Sequence, residues 1–286
     1  MANLKELRSR ITSVSSTMQI TSAMKMVSAA KLNKAQMAIT AMRPYSDKLT
    51  ELLQSLSASL EGDSASVYSE QREVNKVLVV AIASNRGLAG AFNSNIIKAS
   101  KNLYENVYAG KQVDFVTVGK KVHDIVSKTH TIAANKSDVF DNLTFADVAV
   151  IAEELMEYFT NGSYDKIVVV YNKFKNAATQ VVTTEQFLPI VPIESGDTAN
   201  LDYIFEPSKE EIVQQLIPKS LKTQLYKAIR DSFASEHGAR MTAMHKATDN
   251  ATELRDALKL SYNKARQASI TNEILEIVGG AEALNN

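Results

Sequence analysis

Residues 4–39 read LKELRSRITSVSSTMQITSAMKMVSAAKLNKAQMAI, and the spacing of their apolar positions decides how the whole chain is built. Counting from Leu4, steps of alternately three and four residues land on Leu7, Ile11, Val14, Met18, Thr21, Lys25, Ser28, Leu32, Ala35 and Ile39. The series continues through Met42, Ser46, Leu49, Leu53 and Leu56 to Leu60. Thirteen of these seventeen positions are apolar. Their mean period of 3.5 keeps one helix face turned toward a partner helix, the condition for a left-handed coiled coil. Asn3 suits an N-cap, and Glu6 completes a capping box, so the pattern predicts a helix from Asn3 to about Ser59. Pro44 is expected to bend or restart it.

A second helical run closes the chain. Pro207 starts it, and Pro218 is expected to mark a new first turn, where proline is tolerated. Its expected inward positions are Met244, Ala247, Ala251, Leu254, Leu258, Tyr262, Ala265 and Ala268, small residues alternating with large ones. Small residues let two backbones approach closely, so this helix is expected to pack antiparallel on the first. A plain helical bundle is the alternative.

Between the two helices the period changes. Val77–Ala83 is a continuous apolar run, as in a strand buried on both faces. The loop Ser84–Asn93 follows it, and then a helical pattern through Tyr108. Val113–Val118 is a second strand candidate, Lys120–Lys128 a short helix, and Thr144 with Asp147 opens a helix to about Thr160. Ile167–Tyr171 gives a third buried strand and Val181–Ile190 an edge strand. Strands alternating with helices imply βαβ units and a mostly parallel, Rossmann-like sheet covered on both faces. The expected fold class is thus α/β inserted into a long antiparallel coiled coil. The domains are expected at 1–60 for the N-terminal helix, 74–195 for the α/β domain and 207–286 for the C-terminal helix.

Composition narrows the function. Cysteine is absent from the 286 residues, which removes disulfides, thiol nucleophiles and thiolate metal sites. No run of about eighteen uncharged apolar residues is present to span a bilayer. The N-terminus reads neither as a secretory signal nor as a transit peptide, so the expectation is a chain facing the cell interior. The net charge of zero conceals a separation: residues 1–48 carry +6, residues 49–206 carry −7 and residues 207–286 carry +1. A basic helix suits nucleic acid or an acidic protein partner. The basic positions lack interleaved aromatics and no reading module is present, which favours the protein partner and no nucleic acid.

Catalytic chemistry is not legible. The loop from Gly87 to Gly90 invites a phosphate-cradle reading, but it matches neither dinucleotide nor P-loop spacing, and a structural turn is the favoured reading. His123, His130, His237 and His245 do not fall at metal-ligand spacing, and no nucleophile–base pair is evident. The expectation is a non-catalytic chain with no metal and no cofactor. One feature of the first helix stays open: Thr21, Lys25 and Ser28 break the apolar seam, either as a local drift or as a face turned outward to a third partner.

Five blocks of the sequence sit together in a recognisable order. They are Ile20 to Leu32, Ser84 to Asn93, Ser235 to Met241, Ala247 to Ala251, and Tyr262 to Ile274. The chain resembles, over its whole length, the γ subunit of F-type ATP synthases of bacterial type. Asn85 and Ala89 stand where family members often carry an acid and a cysteine. The cysteine-bearing insertion of chloroplast relatives is missing, so thiol-switched control is not expected.

The resemblance implies a central stalk. The long helices would lie inside a ring of three α and three β subunits. The α/β domain would form the foot, against the ε subunit and the c-ring, at the cytoplasmic face of a bacterial plasma membrane. Rotation driven by proton or sodium flow would cycle the β subunits, which hold the catalysis, and membrane contact would come only through the c-ring. By matching position, Met24 and Lys25 fall beside a β-subunit lever, Arg266 and Gln267 form a catch with β loops, and Thr271 and Glu273 lie on the same C-terminal face. The competing reading is a coiled-coil scaffold carrying a small-ligand-binding α/β module.

Overall fold

The computed structural model describes residues 4–57, 67–190 and 209–284. The elements are α1 (Leu4–Ser57), β1 (Lys76–Ile82), α2 (Phe92–Asn102), β2 (Gln112–Val118), α3 (Lys120–Val126), β3 (Ile132–Asn135), α4 (Phe145–Thr160), β4 (Lys166–Phe174), β5 (Gln180–Leu188) and α5 (Lys209–Leu284). The chain divides into two compact units. One joins Met1–Ser28 with Met241–Asn286, and the other is Ala29–Arg240.

In the unit built from both chain ends, α1 and α5 run antiparallel. Thr21 meets Thr248, Lys25 meets His245, and Met18 meets Arg255, so partner numbers fall on one helix as they rise on the other. Every predicted seam position of α1 from Leu4 to Ser28 is buried or half-buried. The polar break does not turn outward: Thr21 and Ser28 are buried, and each satisfies its hydroxyl on a carbonyl of its own helix, Met18 and Met24 respectively. The outward side carries Ile20, Met26 and Val27 instead.

The seam of α5 is shifted from the expected one. Met244, Ala251, Leu258, Tyr262 and Ala265 face inward as predicted, but Thr248, Arg255 and Ser269 complete the 3–4 spacing. Leu254 is 52% exposed and Ala268 is exposed, while Ala247 is half-buried beside Thr248. Arg255 takes the seam because its long stem packs inward while its guanidinium reaches Met18 Sδ at 3.4 Å and Asp256 Oδ1 at 2.8 Å.

The other unit holds a five-stranded sheet of order β3-β2-β1-β4-β5, parallel except for the antiparallel edge strand β5. Alternation along β1 separates two cores. Leu78, Val80 and Ile82 pack with α4 and with Leu221, Leu225 and Ile229 of α5, whereas Val77, Val79 and Ala81 pack with Ile96 of α2 and Val122 and Val126 of α3. Thr144 caps α4 by accepting from the Asp147 backbone N–H. In this unit α1 and α5 also touch, with the Lys219 ammonium 5.9 Å from the centre of the Tyr45 ring.

Both long helices run through their prolines. Pro44 lies inside α1 and Pro218 inside α5, so neither restarts a helix. Pro44 is exposed, as is Thr40, whose carbonyl loses its intrahelical donor and can turn to water, while Ile39, Ser46 and Leu49 stay buried on the other side. Packing on that side holds the helix together across the missing bond. The capping box expected at Asn3 lies outside the described residues, and Glu6 pairs with Arg10. The helix after the first loop ends in a π-helical turn, Leu103–Val107, before Tyr108. Strand β3, absent from the sequence reading, completes the sheet at its other edge.

Candidate functional site

Two places carry the residues singled out by the sequence. The first is the unit formed by the chain ends. Met24 and Lys25 are half-buried there, and the Lys25 ammonium donates to His245 Nδ1 at 3.3 Å. The same Nδ1 lies 3.5 Å from Asp249 Oδ2, so it either accepts from Lys25 or, when it carries a proton, donates to Asp249. Arg266, Gln267, Thr271 and Glu273 are all exposed. Thr271 Oγ1 donates to the Gln267 carbonyl at 3.0 Å, and Ser269 Oγ to Glu273 at 3.5 Å. The two groups are not one cluster, because twenty-one residues separate the level of His245 from Arg266, roughly 30 Å of helix.

Beyond that level α5 loses its partner. The antiparallel register sets Leu4 opposite residues near 266–269, and every described residue from Ile270 to Ala281 is exposed. Ile270, Ile274, Leu275, Ile277 and Val278 are 47–71% exposed. Apolar side chains in this density on an unpaired helix mark a surface that another molecule covers.

The second place is the loop at the carboxyl end of β1. In an open α/β sheet, ligands enter the crevice beyond the strand ends where the strand order reverses, which here is between β1 and β4. That crevice is filled by the chain itself. Ser84 Oγ donates to the Arg86 carbonyl at 2.6 Å, its backbone N–H donates to Asn93 Oδ1, and Asn85 ties the loop to Ser137 and Lys120. Leu88 and Gly90 adopt left-handed backbone conformations that fold the loop back. From α5, Ala239 packs on Ala89 and Phe92, and Arg240 donates to the carbonyls of Arg86 and Gly87. These contacts are those of a structural turn.

Three ionisable groups are buried behind it. Arg240 Nη1 pairs with Glu236 Oε1 at 2.7 Å and lies 3.4 Å from His237 Nδ1. Burial, reinforced by the charges of Arg240 and Lys31, lowers the His237 pKa to about 4. Burial raises that of Glu236 against the opposing pull of Arg240. The His237 and Phe233 rings stand nearly perpendicular, with their centres 4.5 Å apart. No role was assigned to these three residues from the sequence, although Glu236, His237 and Arg240 stand in one of its five blocks; their apolar surroundings come from distant segments. Among the described residues, no group of His, Asp and Glu is placed to hold a metal ion.

The family description ATP synthase matches residues 3–284. The ATP synthase gamma chain of Flavobacterium johnsoniae is 73% identical over 286 residues, covering all of both chains. The chain belongs to the ATP synthase gamma-chain family. That of Christiangramia forsetii is 71% identical over 285 residues, again covering both chains in full. Among solved structures, a chain of the Euglena gracilis mitochondrial ATP synthase in an assembly of OSCP, F1 and c-ring superposes with a TM-score of 0.72. It covers 98% of this chain and 94% of that one at 22% identity, a likeness of fold. As a gamma chain, this is a stalk subunit and not the catalytic one. No helix among the described residues is long and apolar enough to cross a membrane.

Proposed function

We propose that this chain is the central rotor shaft of a bacterial F-type ATP synthase, coupling ion-driven rotation of the c-ring to conformational cycling of three catalytic β subunits. Full-length identity of 73% to a gamma chain carries the reading. In it the paired helices stand within the ring of α and β subunits, and the uncovered apolar end of α5 sits in a sleeve that they form. The α/β domain meets ε and the c-ring at the cytoplasmic face of the plasma membrane, so the chain is peripheral to it.

Within this reading Met24, Lys25, Arg266, Gln267, Thr271 and Glu273 are β-subunit contacts. The exposure of Arg266, Gln267, Thr271 and Glu273 supports that role, and so does the modest strength of solvent-exposed ion pairs, worth about 0–1 kcal/mol each. Contacts of that size form and break at every turn, whereas a desolvated pair would trap the shaft. Arg266→Ala is expected to slow ATP turnover of the reconstituted complex while leaving its assembly intact; unchanged hydrolysis and synthesis rates would remove Arg266 from the interface. For the reading as a whole, co-expression with α and β subunits is expected to yield an ATP-hydrolysing complex holding one copy of this chain. A self-associated chain free of α and β would overturn it.

A further inference from the structure

The loop leading from β1 to α2 is held to α5 directly by Arg240 and Ala239, and indirectly through Asn172 of β4. Arg240 Nε and Nη2 each donate to the Gly87 carbonyl at 3.3 Å, and Nη2 also donates to that of Arg86 at 3.1 Å. At the far end of the loop, Asn172 Nδ2 donates to the Phe92 carbonyl at 3.2 Å, while Ser235 Oγ donates to the carbonyl of Asn172 at 2.9 Å. Between these, Ala89 and Phe92 pack on Ala239. Since β1 is the middle strand of the sheet, a load on the sheet reaches this loop directly. Helix α5 continues from Arg240 to Leu284 without a break.

Folding alone does not call for this chemistry. Arg240 and Glu236 are 6% and 7% exposed, and desolvating two charges commonly costs more than their attraction returns. An apolar pair of similar volume stabilises a core as well or better. The Arg86 carbonyl already accepts from Ser84 Oγ at 2.6 Å, so the turn is closed without the guanidinium. What a guanidinium adds is direction: one rigid plane presents several donors at fixed angles, and Glu236 holds that plane toward the loop.

We infer that Arg240 is a positioning residue for energy coupling, the grip through which the central strand of the sheet drives α5. The inference rests on the rotor reading above. It is tested in the complete ATP synthase reassembled in vesicles with the wild-type chain, with Arg240→Lys, and with the pair Glu236→Leu and Arg240→Met. The paired variant keeps volume and removes both charges, so assembly persists. Arg240→Lys keeps the charge and loses the fork. Both are expected to hydrolyse ATP at near wild-type rates while ion uptake per ATP falls about fivefold. Uptake per ATP equal to wild type in either variant overturns the inference, as does failure of either to assemble, which would make the cluster a support of the fold alone. Failure of the wild-type chain to assemble with α and β would instead strike the rotor reading.

Discussion

At the scale of single residues, His237 converts burial into a dependence on pH. Its folded pKa of about 4 lies below the ordinary 6.5 because the apolar surroundings, Arg240 and Lys31 all oppose a second positive charge. Between those values the unfolded chain binds a proton that the folded chain refuses, so stability is lost as pH falls from 6.5 toward 4. The loss amounts to about 3 kcal/mol. Glu236 acts in the opposite sense, its raised pKa lowering stability as pH climbs through the window above its ordinary value. Urea unfolding of the wild type and of His237→Gln, followed by tyrosine fluorescence, separates the two. The variant is expected to lose distinctly less stability than the wild type between pH 6.5 and 4.5, and parallel curves would show that some other group titrates. None of this was legible in the sequence. The sequence sets His237 between Glu236 and Arg240, and only the fold shows it buried, with the Phe233 ring against it.

At the scale of elements, legibility followed the strength of the period. The seam of α1 could be read wherever its positions are apolar, with the break at Thr21, Lys25 and Ser28 left open, and the buried runs of β1, β2 and β4 stood out for the same reason. On α5 hydrophobicity and geometry part company: at 254 and 255 the apolar residue is outside and the arginine inside. Strand β3 escaped because Ile132, Ala133, Ala134 and Asn135 are few, small and only partly buried, and pair on one side only. The continuation of both helices past their prolines was hidden too, since local propensity argues for a break and only tertiary packing overrules it. The polar layer between the helices yields a prediction at this scale. Thr248 Oγ1 lies 2.8 Å from both Thr21 Oγ1 and the Met244 carbonyl, in a seam that is otherwise largely apolar. Thr248→Val alone is expected to cost about 0.5–1 kcal/mol by removing the donor to the Thr21 oxygen, whose own hydroxyl keeps the Met18 carbonyl, while Thr21→Val with Thr248→Val is expected to be neutral or stabilising. Urea unfolding monitored by helical circular dichroism decides it, and a double variant less stable than the single one would show that the hydroxyl pair is a net contributor.

At the scale of the whole molecule, the chain carries more helix than it can cover by itself. From Ile270 to Ala281 no described side chain is buried, and five large apolar ones are open to water. A stretch of this length is marginal as an isolated helix in water, because nucleation is costly and no packing repays it. The stability of α5 in the free chain therefore declines from the paired region toward this end, and a partner that sheathes it supplies what is missing. The distribution of charge agrees with an acidic partner near the helices, since residues 1–48 carry +6 while the chain as a whole is neutral. Amide hydrogen exchange over residues 270–281 is expected to be fast in the isolated chain and to slow by at least about tenfold once the chain is assembled with α and β subunits, while residues of β1, buried on both faces, stay protected in both states. Exchange equally fast in the assembled complex would mean that the apolar end of α5 is not enclosed, and the shaft would then have to be held through the paired region around Lys25 and His245 alone.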